Sequence, residues 1–310
     1  KIDVLIGTHR MLSKDVKFKE LGLLVVDEEQ RFGVRHKEKI KSFRASVDVL
    51  TLSATPIPRT LHMSLMGIRD LSLINTPPPD RRAIRTRLLP ANDYIIQEAV
   101  SREIRRGGQV YIVHNRVDTI YDYGRYLNSI LPNMKIVIGH GQMREEKLEK
   151  VMMEFIEGEF DVLLSTTIIE SGLDITNANT IIINNAHIFG LSQLYQLRGR
   201  VGRSNVQAYA YMLIPQDLIL SGDANERLNV LQEMNDLGAG FKVASRDLEI
   251  RGAGNLLGSE QSGQIASVGL ELYTQMVARA VKKLRQSESG LSLEDIQVKL
   301  SQIDQLIPES

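Results

Sequence analysis

The chain has 310 residues and no cysteine. That excludes disulfides and cysteine-ligated zinc. Its six histidines are scattered and show no paired metal spacing. No apolar run reaches the roughly eighteen residues that a membrane-crossing helix needs. Neither sign of charge is in excess: 38 Lys and Arg balance 38 Asp and Glu. The total therefore gives no sign of nucleic-acid binding and leaves the question to local patches. The phosphate-cradling pattern G-x-x-x-x-G-K-[ST] occurs nowhere, nor does any internal repeat or low-complexity tract. What is present is ordinary. Hydrophobic residues make up 43% and charged residues 25%, near the averages of soluble globular proteins. Length suggests about two domains, no secretory leader is visible, and the expected location is the cytoplasm.

The most informative stretch is QLYQLRGRVGR, residues 193–203, with Arg198, Arg200 and Arg203 separated by Gly199 and Gly202. Three positions apart, Arg200 and Arg203 share a face if the segment is helical. Two fixed guanidiniums suit a triphosphate, whose oxygens accept forked, charge-assisted hydrogen bonds. The glycines admit a polyphosphate or a neighbouring backbone at close range. A solvated basic helix end is the alternative.

Upstream, LLVVDEEQ (23–30) reads as a buried parallel strand delivering carboxylates at its C-terminal end. Open α/β sheets bind ligands at that edge. Asp27 suits Mg²⁺ held through water, and Glu28 suits orienting a water toward a γ-phosphate. An ordinary strand end is the competing reading. VLTLSATPIPR (49–59) is another strand that exits into small hydroxyl residues and stops at proline.

Strands are expected at 2–7, 22–27 and 48–53, alternating with helices as in a parallel α/β layer. TPPPDRRAIRTRLLP (76–90) holds four prolines and four arginines and reads as an extended linker. ANDYIIQEAVSREIRR (91–106) is an amphipathic helix ending at Gly107-Gly108. Further strands are expected at 109–113, 135–138, 161–165, 180–184 and 208–214. Between 215 and 285 the pattern is helical and punctuated by glycine. Thr8 of GTHR, with its backbone, suits gripping a DNA phosphate, as do the amides of Gly139, His140 and Gly141. Thr166 and Thr167 offer hydroxyls to phosphate. Plain turns at strand exits are the alternative for each.

In order, the chain reads GTHR (7–10), DEEQ (27–30), SATP (53–56), GGQVYIVHN (107–115), STTIIESGLD (165–174) and QLYQLRGRVGR (193–203). This series resembles the motifs of superfamily 2 helicases and translocases. DEEQRFGVRHKEKI, TLSATPIPRTLHM, IGHGQMREEKLEKVM and DLEIRGAGNLLGSEQSG resemble the bacterial transcription-repair coupling factors over about residues 1–285. The RecG-like fork-reversing helicases share the last of these blocks.

The resemblance implies an α/β fold of two RecA-like parallel-sheet lobes, the first incomplete, followed by a helical hairpin translocation motif. Residues 1–75 are the C-terminal part of the first lobe, 76–90 the linker and 91–214 the second lobe. Residues 215–285 are the translocation region, and 286–310 begin a further domain. It implies an ATP-hydrolysing double-stranded DNA translocase, with Mg²⁺, that displaces stalled RNA polymerase and couples transcription to excision-repair proteins. Those partners are reached through regions outside this chain, and no membrane is involved. Asp27, Glu28, Arg200 and Arg203 are its catalytic set. Gln30, Gln196 and Asp174 join them around nucleotide, although relatives often carry His where Gln30 stands. Arg227, Arg251 and Gln261 match the translocation positions. Lacking the phosphate loop and opening at KIDVLIGTHR without methionine, the chain reads as a fragment that does not itself turn over ATP. A RecG-like fork-remodelling helicase and a non-catalytic DNA- or partner-binding module are the alternatives.

Overall fold

The structure is a computed structural model describing residues 2–13, 15–29, 32–43, 46–53, 72, 74, 76–78, 81–167, 175–234, 236 and 238–251, with backbone alone at 34, 248 and 251. The chain divides into two compact units, residues 1–57 with 74–250 and residues 58–73 with 251–310. The elements below belong to the first, save the last helical residue.

Near the N-terminus, β1 (Leu23–Asp27) and β2 (Asp48–Leu52) pair in parallel, Leu23 opposite Asp48 through Asp27 opposite Leu52. The helix α1 (Val34–Phe43) connects them. Period-two alternation sends Val26 inward, where it packs with Ile40 and Leu12. Leu23, Val25, Leu50 and Leu52 face the other way and are exposed. Residues 2–7, expected as a strand, form none, and Ile2, Val4 and Ile6 are exposed. Apolar alternation becomes a strand only where a ladder partner exists, and no described strand pairs with this segment.

The second sheet has six parallel strands in the order β3-β8-β7-β4-β6-β5. They are β3 (Arg85–Pro90), β4 (Gln109–Val113), β5 (Ile136–Gly139), β6 (Val162–Ser165), β7 (Ala178–Ile183) and β8 (Tyr209–Ile214). All but β3 fall where the sequence puts them. Residues 85–90, read as the end of the linker, instead pair with β8 as an edge strand. Pro90 sits at the last position of that edge, where its missing N–H costs least.

Helices cover both faces, as a parallel sheet requires. One face carries Tyr111, Val113, Leu163, Ile181 and Met212 against α4 (Glu145–Ile156), α5 (Leu191–Arg198) and α6 (Gly222–Glu233). The other carries Val110, Ile112, Leu164, Ile182 and Leu213 against α2 (Asp93–Arg105) and α3 (Val117–Ile130). Alternate residues of one strand thus enter opposite cores. Every residue of β4 and β7 is buried. Asn92 caps α2 by accepting from Tyr94 N, worth about 1 kcal/mol. The helix α7 (Gly240–Arg251) follows α6, as the helical character beyond 215 led us to expect.

The turn from α2 into β4 is locked by a buried carboxylate. Glu103, 1% exposed, accepts from Arg106 and from the Thr180 hydroxyl. A Cβ on Gly108 would stand 1.8 Å from Glu103 Oε1. The glycine pair that stops the helix is therefore also the space its carboxylate occupies.

Candidate functional site

The segment Leu191–Arg203 does not continue as one helix. α5 ends at Arg198, Gly199 caps it, and Arg200 and Arg203 lie in the turn beyond. The shared helix face expected for them is thus replaced by a shared turn. Two facts explain the stop. Val201 is fully buried in the core, and Gly202 adopts φ +72°, a left-handed conformation costly to other residues. A Cβ at Gly202 would lie 3.0 Å from both Ile84 and Ala208. The close approach that Gly202 allows is made by the side chains of Ile84 and Ala208.

The three arginines separate by burial. Arg198 is 4% exposed and donates to Leu231 O at 2.9 Å and Thr86 Oγ1 at 3.4 Å. Its guanidinium lies 4.9 Å over the Tyr195 ring. Burial pulls its pKa below the ordinary arginine value, and Tyr195 opposes that shift. It ties α5 to β3 and α6, a packing role the sequence did not distinguish. Arg200 and Arg203 are half-buried, and Arg203 Nε reaches Gly199 O at 3.5 Å. Both line a cavity of about 640 Å³, with Gln196, Arg81, Tyr195 and Asp236. That volume is within the usual range for small-ligand sites.

Asp27 and Glu28 stand at the C-terminal end of β1, and neither lines this cavity. Glu28 has φ +48°, held while its N–H donates to Leu52 O at 3.0 Å. A bulky residue in the left-handed region is uncommon and costs of order 1–3 kcal/mol, a cost concentrated at functional sites. Asp27 is exposed. Among the described residues no cluster of three or more His, Asp or Glu suits a metal ion. Asp27 offers a single carboxylate, and Mg²⁺ is usually held by one or two carboxylates beside water and phosphate ligands.

A second group gathers where strands end. Gly139 and Ser165 are register partners at the exits of β5 and β6, so His140, Gly141, Thr166 and Thr167 come together at one edge. His140 is 7% exposed. Its Nε2 bonds Tyr121 OH at 2.9 Å, and its Nδ1 has no partner among the described residues. Thr166 is buried, with its N–H on Gly139 O at 3.4 Å, whereas Thr167 is half-buried and Gly141 exposed. Beside them His114 is buried between Asn184, which donates to Nδ1 at 3.0 Å, and Thr119 Oγ1, 2.8 Å from Nε2. It stacks on Tyr123 at 4.7 Å. The motif GGQVYIVHN contains His114, but nothing in its spacing marks that residue.

Thr8 is exposed and caps the short 3-10 helix His9–Leu12 through a 3.4 Å bond from Arg10 N. Arg227 lies on α6 and donates to His187 O at 3.2 Å. Gln30, Asp174 and Gln261 lie outside the described residues, as does the side chain of Arg251.

Residues 1–64 match the family model of the DEAD/DEAH box helicases, and residues 91–205 match that of the helicase conserved C-terminal domain. With the parallel-sheet fold, these place the chain among the superfamily 2 helicases. It is 56% identical over 294 residues to a transcription-repair-coupling factor of Myxococcus xanthus, covering 95% of this chain and 24% of that protein. Against the transcription-repair-coupling factor of Bacillus subtilis it is 53% identical over 309 residues, covering 100% of this chain and 26% of that protein. The chain spans about a quarter of the length of these transcription-repair-coupling factors. A solved structure of RecG bound to a three-way DNA junction is 37% identical, with TM-score 0.65, over 90% of this chain and 36% of that one.

Proposed function

We propose that this chain is part of an ATP-driven double-stranded DNA translocase, the motor that displaces stalled RNA polymerase and hands the site to excision-repair proteins. The observation that carries the reading is the cavity lined by Arg200 and Arg203, in a chain that matches coupling factors over almost its full length. Two cavity arginines suit the spread negative charge of phosphoryl transfer, and an arginine finger is worth about 10³–10⁵ in rate. ATP with Mg²⁺ supplies the phosphoryl group and neutralises its charge when bound. Asp27 holds the metal through water, and Glu28, fixed in its strained turn, orients the attacking water. Gln30, Gln196 and Asp174 complete the nucleotide contacts. Identity of 56% to coupling factors against 37% to RecG supports polymerase displacement over fork reversal.

Thr8, His140, Gly141, Thr166 and Thr167 contact DNA phosphates in this reading, through amides and hydroxyls. Residues 215–285 act as the lever, with Arg227, Arg251 and Gln261 linking lobe closure to DNA movement. Glu28→Gln in the whole protein is expected to abolish hydrolysis while ATP still binds. Near-normal turnover in that variant would refute the assignment. Arg251→Ala or Gln261→Ala is expected to keep ATP hydrolysis and lose displacement of a DNA triplex strand. Parallel losses of melting temperature, hydrolysis and displacement would reduce the lever to packing.

A further inference from the structure

Residues 81–85 are stitched to residues 202–208 along one seam. Gln207 Nε2 donates to Ala83 O at 2.7 Å, and Arg85 N donates to Ala208 O at 3.0 Å. Ile84 fills the space beside Gly202. Arg81 Nε donates to Gly202 O at 3.0 Å, across 121 positions of sequence. That carbonyl belongs to the peptide joining Gly202 to Arg203, so the bond fixes the plane from which the Arg203 side chain departs. Arg81 also lines the same cavity as Arg200 and Arg203.

We propose that Arg81 is a positioning residue for Arg203: it holds the Gly202 turn in register with the linker, and the linker thereby sets the arginine that faces the cavity. The inference rests on the nucleotide reading of that cavity. A left-handed glycine turn is the kind of backbone that needs an outside contact to stay in one conformation. Arg81 supplies it with a planar donor that cannot lose its charge. A side chain held an ångström from its working position loses much of its effect on rate.

The test uses the whole protein carrying Arg81→Ala, Arg203→Ala, Arg200→Ala, or the first two together. DNA-stimulated ATP hydrolysis is measured as kcat and KM, with melting temperature on the same preparations. Arg81→Ala is expected to lower kcat about tenfold and to change KM by less than about twofold. In the Arg203→Ala background it is expected to add almost nothing, because it acts through that residue. Additive losses, or a kcat loss matched by lost folded fraction, would overturn the assignment. If Arg203→Ala slows turnover and Arg81→Ala does not, only the Arg81 inference fails. If Arg200→Ala and Arg203→Ala both turn over normally, the nucleotide reading fails with it.

Discussion

At the exit edge of the six-stranded sheet, where β4, β5, β6 and β7 end, the described polar groups bond mainly to one another. His114 sits between Asn184 and Thr119, and His140 against Tyr121. Beside the entries of β3 and β8 the groups are arginines on backbone carbonyls: Arg81 on Gly202, Arg106 on Gln207, Arg198 on Leu231. One sheet therefore has an edge built from hydrogen-bonding side chains and an edge built from fixed charge. The general rule that α/β sheets bind ligands at strand carboxyl ends describes the first edge. The second is assembled from three places in the chain: Arg81 from the linker, Arg106 from the end of α2 and Arg198 from the end of α5. In the proposed motor, charge holds the nucleotide, while uncharged donors touch a DNA backbone that must be released at each step.

The largest contrast lies within the arginine group. Arg203→Ala in the whole protein is expected to slow ATP hydrolysis by about 10³-fold or more with little loss of thermal stability, since the side chain faces the cavity. Arg198→Ala is expected to do the reverse. It leaves Leu231 O and Thr86 Oγ1 without their charged donor and opens a void beneath Tyr195. Bonds to charged groups contribute about 1.5–3 kcal/mol, so unfolding free energy should fall by about 3 kcal/mol in urea titration. Equal behaviour of the two variants in both measurements would erase the division between packing and cavity arginines.

A smaller effect tests the turn that separates them. Gly202→Ala places a Cβ in the left-handed region and 3.0 Å from Ile84 and Ala208. The backbone term alone costs about 1–2 kcal/mol. The contact strain falls on the linker seam, so activity should drop with stability. Gly199→Ala is the control. Gly199 has right-handed backbone, and its Cβ would meet only ordinary contacts at 3.4 and 3.5 Å. A harmless Gly202→Ala would mean the turn adapts.

These contrasts also mark what the sequence made legible. Seven of the eight strands were readable because each is a short run rich in apolar residues, as in LLVV and VYIV. β3 was hidden because an edge strand of arginines, leucines and a proline has the composition of a linker. The 2–7 segment misled in the opposite direction: its alternation is strand-like, but pairing is a property of neighbours. At the candidate site, residue types and order singled out Arg200 and Arg203, which both line the cavity. Spacing could not tell them from Arg198, because burial is decided by how the chain turns after Gly199. Arg81 was unreadable for a related reason: its partner is a backbone carbonyl, which leaves no trace in sequence.

The smallest expected effect concerns the exit edge and its dependence on pH. Burial lowers the His114 pKa below the ordinary histidine value, and the nearby Arg116 charge lowers it further. The ring is held neutral because Nδ1 accepts from Asn184, which leaves Nε2 to carry the proton toward Thr119. A second proton at Nδ1 would set two donors face to face. As pH falls, the unfolded chain takes up this proton first, near the ordinary value of about 6.5. The contribution of the neutral ring is therefore complete above that pH. It declines as pH falls toward the lowered folded-state pKa and levels off below it. His187 is shifted in the same direction by burial, so the whole slope is not due to one residue. His114→Gln keeps a polar group between Asn184 and Thr119 and removes the titration. Urea unfolding of wild type and variant at pH 5, 6, 7 and 8 should give a shallower pH slope for the variant, confined to the acid half. An unchanged slope, or an imidazole that titrates by NMR at the ordinary histidine value, would show that the exit edge tolerates charge and would remove the contrast with the arginine edge.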